Sequence, residues 1–238
     1  MEYRLPLKGR REVAAQTMEF SFDLSGQDLS FKAGQHADFI LSDPPYTDEK
    51  GGQRIFSFVT SPNNREELAV ATRLTGSAFK RSLAEVPLGT TVTVKDIRGQ
   101  MTLHRDAAKA AVFLAGGIGI TPFMSMSRYA AEEGLAHRIY LLYANRAPES
   151  TAFLPELEEL AIRNPNFTLV PVMSDPPADW PGERGYVSAE TVRKHVPEPQ
   201  NTFFYMAGPP AMVAAMTAVL DELDIADEYR KAEDFAGY

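Results

Sequence analysis

The chain has 238 residues, enough for one large domain or two of about 100–120. Apolar content is 44%, charged content 24% and net charge −8, from 24 basic and 32 acidic residues, which argues against nucleic acid or an anionic membrane surface as the main partner. Cysteine is absent, which excludes disulfides, thiolate zinc sites, Cys-ligated iron–sulfur clusters and a Cys nucleophile in this chain. His36, His104, His137 and His195 show no metal-ligand spacing and read as lone surface or core histidines. Met1-Glu2-Tyr3-Arg4 carries no signal-peptide core. The uncharged run between Lys109 and Arg128 holds three Gly and a Pro, so it reads as strand, loop and helix start, not a membrane span. The expectation is a cytoplasmic protein, monomeric by preference, with no membrane insertion.

From Tyr3 to about Leu103 the pattern is short strands with turns. Met18 to Leu24 has an apolar strand face, Gly26 ends it, and Gln35 to Leu41 is the next strand. Asp43 to Gln53 is polar, with two Pro and two Gly, and reads as a surface loop. Arg54 to Ser61 follows as a strand, stopped by Pro62-Asn63-Asn64. Glu67 to Leu74 and Thr90 to Val94 are further strands, with a short helix from Gly76-Ser77 through Leu83. This spacing predicts a small antiparallel barrel.

After Asp106 the grammar changes. Ala110 to Ala115 is a continuous apolar run, as expected of a strand buried on both faces of a parallel sheet. Strand and helix then alternate four times, with helices at Pro122–Glu133, Leu154–Arg163, Ser188–His195 and Pro210–Leu223. That is the pattern of a doubly wound α/β domain. The expected division is 1–105 and 106–238.

Four stretches carry chemistry. Arg54-Ile55-Phe56-Ser57 puts a cation, a ring and a hydroxyl in four positions, with Arg54 and Phe56 on one strand face and Ser57 on the other. Such a set suits a ligand with a phosphate and a flat heterocycle; an edge strand with a solvated Arg and a core Phe is the alternative. Thr72-Arg73-Leu74-Thr75-Gly76-Ser77 joins strand to helix, with Ser77 as N-cap and neighbouring N–H groups open to phosphate. Arg54 and this helix start would cradle one pyrophosphate.

Gly116-Gly117-Ile118-Gly119-Ile120-Thr121-Pro122 lies at the carboxyl end of the first buried strand, with Thr121 as N-cap and Pro122 at the first helical position. It reads as an anion-binding loop or as a tight turn alone. Ala207-Gly208-Pro209-Pro210 repeats the arrangement at the fourth strand, ahead of a helix containing Met212. Asn145-Arg146 follows the second strand, where the adenosine ribose lies in dinucleotide folds. No acid is placed there for a 2′-hydroxyl; Arg146 would meet a 2′-phosphate or stay solvated.

In their order and combination these stretches resemble the ferredoxin–NADP reductase superfamily. The resemblance implies an antiparallel Greek-key flavin-binding barrel followed by a doubly wound nicotinamide-binding domain whose C-terminal tail returns to the flavin. It implies FAD in preference to FMN, and NAD(P)H as co-substrate. Arg54 would bind flavin phosphates, Phe56 would pack on the flavin, and Ser57 would lie near flavin N5 and assist hydride arrival. Gly76 and Ser77 match the pyrophosphate helix. Gly117, Gly119, Thr121 and Pro122 would line the nicotinamide cofactor's phosphate site, with Gly116 and Ile120 inside the same motif. Gly208 and Pro209 would border the nicotinamide end, and Tyr238 would cover the ring or simply pack.

Ala207 stands where many members have Cys, so a thiol-assisted hydride step is unavailable. The implied function is hydride transfer from NAD(P)H to bound FAD, with electrons passed to a separate ferredoxin- or flavodoxin-type carrier or a small acceptor. A free-flavin or ferric reductase and a non-catalytic electron-transfer subunit are the alternatives.

Overall fold

The computed structural model describes residues 1–235 of the chain. Tyr238, the expected cover of the ring, lies outside them. Twelve strands are named in chain order within the described residues, and they divide into two six-stranded sheets.

The first sheet contains β1 (Glu2–Ala14), β2 (Thr17–Asp23), β3 (His36–Ile40), β4 (Gln53–Ser57), β5 (Glu67–Arg73) and β6 (Thr91–Arg98). All its paired strands are antiparallel, in the order β4-β3-β6-β1-β2-β5. A bridge between Phe58 and Val70 brings the two edge strands together, which removes the exposed edges that an open sheet would leave. Phe20, Phe22, Phe39, Phe56, Phe58 and Phe79 fill the interior. One expectation is corrected here. The first strand is not short: β1 runs 13 residues and pairs with both β2 and β6, with register shifts between Leu7 and Gly9 and between Glu12 and Ala14. Those shifts break the period-two pattern that sequence reading depends on.

The second sheet is β10 (Glu183–Arg184), β9 (Phe167–Met173), β8 (Ile139–Asn145), β7 (Ala110–Gly116), β11 (Thr202–Gly208) and β12 (Arg230–Asp234), in that order and parallel throughout. Every residue of β7 is buried, as its unbroken apolar run requires. The helices are α1 (Ala78–Glu85) in the barrel half, then α2 (Ile120–Glu132), α3 (Leu154–Arg163), α4 (Ala189–His195) and α5 (Pro210–Glu222). The chain winds outward from β7 through β8 and β9, then crosses to β11 on the other side. The carboxyl ends of β7 and β11 therefore form the switch point where such sheets bind ligands.

Helix α2 joins the halves. Ile120, Phe123, Met124 and Met126 share one core with Val59, Ala69, Ala71 and Met101 from the barrel side. At roughly 1.5–3 kcal/mol per fully buried large apolar side chain, this packing sets how α2 meets the barrel. Polar contacts fix the register: Ser125 Oγ donates to Thr60 O at 2.6 Å and Arg128 Nη1 to Val59 O at 2.6 Å.

Candidate functional site

The barrel half offers a groove of about 990 Å³ along β4 and the start of α1, lined by Arg54, Ile55, Gly76, Ser77 and Lys80 among others. Helix α1 begins as the sequence requires: Ser77 is the N-cap, its side chain accepting from Lys80 N, and Gly76 enters it at φ +49°. The Arg54 guanidinium faces this helix start. Its Nη1 donates to the carbonyls of Lys50, Gly51 and Gln53 at 3.0, 2.8 and 2.7 Å, and its Nη2 reaches both carboxylate oxygens of Asp48 at 2.7 and 2.8 Å. The same carboxylate accepts the Ala78 N–H at 3.0 Å. Arg54 and the helix start are therefore brought together, with their donors engaged by Asp48, a residue of the loop that looked merely polar.

Lys80 was not expected in the site. It is 5% exposed and lines the groove, and burial, assisted by the Arg54 and Lys50 charges, pulls its ammonium down to a pKa of about 8.

A second space of about 240 Å³ lies between the halves. Ser57, Ile55 and His36 line it from the barrel, Thr121 from α2, and Glu233 from β12. Ser57 is 6% exposed and directly opposite His36 in the β3–β4 ladder. His36 Nδ1 lies 2.8 Å from Glu233 Oε1, too poorly aligned for a hydrogen bond, and Glu233 Oε2 is buried without a partner. His36 is thus no lone histidine. Nor are the others: His104 and His137 pack at 4.9 Å, and His195 meets Glu183 at 2.7 Å. Only the fold brings residues 36, 57, 121 and 233 to one place, and no spacing in the chain announces it.

Phe56 lines both the groove and the space between the halves, yet it is only 3% exposed, and its ring packs in the barrel interior against Phe39 and Phe79, at 5.6 and 5.9 Å. Strand alternation is the reason: Phe56 pairs with Ala37 on the inner face, and Ile55, 52% exposed, faces outward instead. Thr72 is fully buried within β5 and Arg73 is exposed at its end, and neither lines the groove, which begins at Thr75.

In the α/β half the glycines divide by role. A Cβ on Gly119 would come within 2.1 Å of Ala207 O, one on Gly116 within 2.1 Å of Met212 Sδ, and one on Gly208 within 2.8 Å of the same sulfur. These three let the ends of β7 and β11 close on each other beneath Met212. Of the four glycines at these strand ends Gly117 is the open one, at φ +51° with nothing within 4 Å, and its carbonyl accepts from Tyr143 Oη at 3.0 Å. Burial raises the Tyr143 phenol far above its usual range, so it stays a neutral donor to this loop.

Thr121 is not the N-cap: a 3₁₀ turn over Gly117–Gly119 starts the helix early, and Thr121 Oγ1 donates back to Ile118 O at 3.1 Å. Pro122 sits in the first turn, where its missing N–H has no intrahelical partner to lose. At α5 the expectation of Pro210 as first helical residue, after Pro209, matches the structure. Asn145 ends β8 with its amide Nδ2 buried near the Tyr143 hydroxyl. Arg146 meets Asp175 at 3.1 Å, so an acid does stand at this position, contributed by the loop after β9.

Among the described residues no group of His, Asp or Glu could hold a metal ion, and no helix is long and apolar enough to cross a membrane. The groove suits a flavin nucleotide. Its volume lies at the upper end of the range for small-molecule sites, and a helix start, an Arg and a Lys converge in it.

Residues 113–218 match the oxidoreductase NAD-binding domain family. Ferredoxin–NADP reductase B of Sorangium cellulosum is 31% identical over 206 residues, covering 84% of this chain and 80% of its own. NADH-cytochrome b5 reductase 1 of Dictyostelium discoideum is 29% identical over 231 residues, 93% and 78% of the two chains. The cytochrome b5 reductase domain of Ulva prolifera nitrate reductase superposes with a TM-score of 0.85 at 19% identity, covering 98% of this chain and 97% of that one. With the barrel, the parallel sheet and the seam between them in place, the chain belongs to the ferredoxin–NADP reductase superfamily of NAD(P)H-dependent flavin oxidoreductases.

Proposed function

We propose that this enzyme moves hydride from NAD(P)H to an FAD held by the barrel and passes the electrons to a separate carrier protein or a small acceptor. The observation that supports this best is the space between the halves. Ser57 and His36 meet Thr121 and Glu233 there, with a helix-start anion site on either side. Arg54, Ser77 and Lys80 would hold the phosphates, and the open Gly117 turn with the first turn of α2 would hold those of the nicotinamide cofactor. A bound flavin supplies a two-electron acceptor that can release electrons singly. The protein's own part is positioning: α2, locked to the barrel by Ser125 and Arg128, keeps the two binding sites in register. Ser57 donates at the reacting edge, and the half-buried Glu233 carboxylate, with Oε2 turned inward, keeps water from being the only polar neighbour there.

FAD is preferred to FMN because a further groove lined by Tyr46, Ala84 and Glu85 shares Asp48, Thr75, Gly76, Ser77 and Lys80 with the first. Together they extend past a single phosphate toward Tyr46, whose ring lies 3.7 Å under the Arg81 guanidinium. The relatives' names point to cytochrome b5 and ferredoxin as classes of acceptor.

An absorbance spectrum of the purified protein followed by anaerobic titration with NADH and NADPH tests the reading. A flavin spectrum bleached by either nucleotide is the expected result; no flavin uptake and no bleaching would sink it. Ser57→Ala should slow flavin reduction about tenfold in stopped flow while flavin stays bound.

A further inference from the structure

We propose that Asp48 is a built-in anion that occupies the flavin-phosphate cradle and yields it only to a phosphate, so that it sets how tightly and for how long a phosphorylated flavin is held. The inference rests on the reading that a flavin binds beside Arg54.

The Asp48 carboxylate makes the contacts a phosphate would make. It takes the Arg54 Nη2 on both oxygens, at 2.7 and 2.8 Å, and the first helical N–H of α1, from Ala78, at 3.0 Å. It is further steadied by the Lys50 N–H at 2.9 Å. Two carboxylate oxygens on one guanidinium and one helix amide are a charge-assisted set, stronger than neutral hydrogen bonds. An incoming phosphate needs the same donors.

Two anions within hydrogen-bonding distance of one another in a half-buried groove repel. The carboxylate therefore either swings out, losing its contacts, or stays and opposes the phosphate. Both routes weaken binding relative to a neutral side chain of the same shape.

The loop is built to let the carboxylate move. On one side Tyr46 is anchored: its N–H donates to Ser82 Oγ at 3.1 Å and its hydroxyl to Glu85 at 2.6 Å. On the other side Gly52 is fixed, its carbonyl accepting the Leu41 N–H at 3.0 Å, with no room for a Cβ against Leu41 O. Between these points lie Thr47 to Gly51, outside both sheet ladders, with Gly51 at φ +64° and nothing within 4 Å of it. The Asp48 side chain is 30% exposed, so an outward position is open to it. The consequence is a flavin that exchanges with solution more readily than the size of the groove suggests.

The test measures dissociation constants and release rates of FAD, FMN and riboflavin by fluorescence, for wild type, D48N, D48A and D48E. The expected result is FAD and FMN binding at least about tenfold tighter in D48N and D48A, with slower release. Riboflavin, which has no phosphate, should change by less than about twofold, and D48E should resemble wild type. Circular dichroism melts confirm that each variant is folded. Unchanged or weaker FAD binding in folded D48N and D48A overturns the role of Asp48, as does equal tightening of riboflavin. Failure of every variant and of wild type to bind any flavin overturns the flavin reading itself, and is thereby distinguished from a failure of Asp48 alone.

Discussion

The two helix starts that flank the seam use glycine in opposite ways. At α1, Gly76 enters the helix at positive φ with open space where a side chain would go, and the donors around it are held by a carboxylate. At α2, Gly116 and Gly119 are pressed against Met212 and the Ala207 backbone, and only Gly117 is open. The barrel site is electrostatic, made of a guanidinium, a buried lysine whose pKa is lowered and a helix amide. The α/β site is steric, made by two strand ends brought close enough to expose a backbone edge. A glycine in such a turn can therefore be pressed against a neighbour or left open, and in this protein the two alternate within four residues.

Substitutions can break that contrast, and the largest effect should come from the steric side. Gly119→Ala drives a methyl into backbone at 2.1 Å, which no rotamer change relieves, and should cost about 3 kcal/mol or more in chemical denaturation. Gly117→Ala, strained only by its left-handed backbone, should cost about 1–2 kcal/mol. Equal losses at the two positions would erase the distinction. On the electrostatic side, Arg54→Gln should weaken FAD binding about tenfold to a hundredfold by equilibrium fluorescence, with global stability little changed.

Lys80 sharpens the same point through pH. Its folded pKa is depressed to about 8, so the charge is present below that value and lost as pH rises through it. An anionic phosphate favours the charged form, so FAD affinity should fall by a factor of a few above about pH 8, and Lys80→Met should flatten the profile. The smallest effect is expected at the exposed Arg146–Asp175 pair. Asp175→Asn frees the guanidinium, and the NADPH-to-NADH preference in kcat/KM should rise by a factor of about 2–5; an unchanged ratio would remove this pair from cofactor choice.

Much of this was legible beforehand. The change from alternating strands to unbroken apolar runs, the four strand–helix repeats and the order of the Arg54, Gly76, Gly116 and Gly208 stretches carried the fold and the family, because local periodicity and turn chemistry are written in neighbouring residues. The Ser77 cap and Pro210 start were likewise local. What chain reading missed was long-range. Asp48 lies six residues before Arg54 in a loop with no pattern, yet its carboxylate closes the cradle by meeting a helix 30 residues on. Asp175 meets Arg146 only because β8 and β9 lie side by side. That the Phe56 ring packs between Phe39 and Phe79 was hidden too, because strand alternation alone cannot say which face is the barrel interior.

The sequence by itself determined that this chain would form a barrel and a doubly wound sheet with a glycine at the helix start in each. Patterning and backbone preference act over a few residues and need no partner. Only the tertiary structure decided which glycines are open, which anion sits on Arg54, and that His36, Ser57, Thr121 and Glu233 share one space. Those facts depend on distances between segments far apart in the chain, and such distances are set by packing α2 against the barrel, not by any local preference.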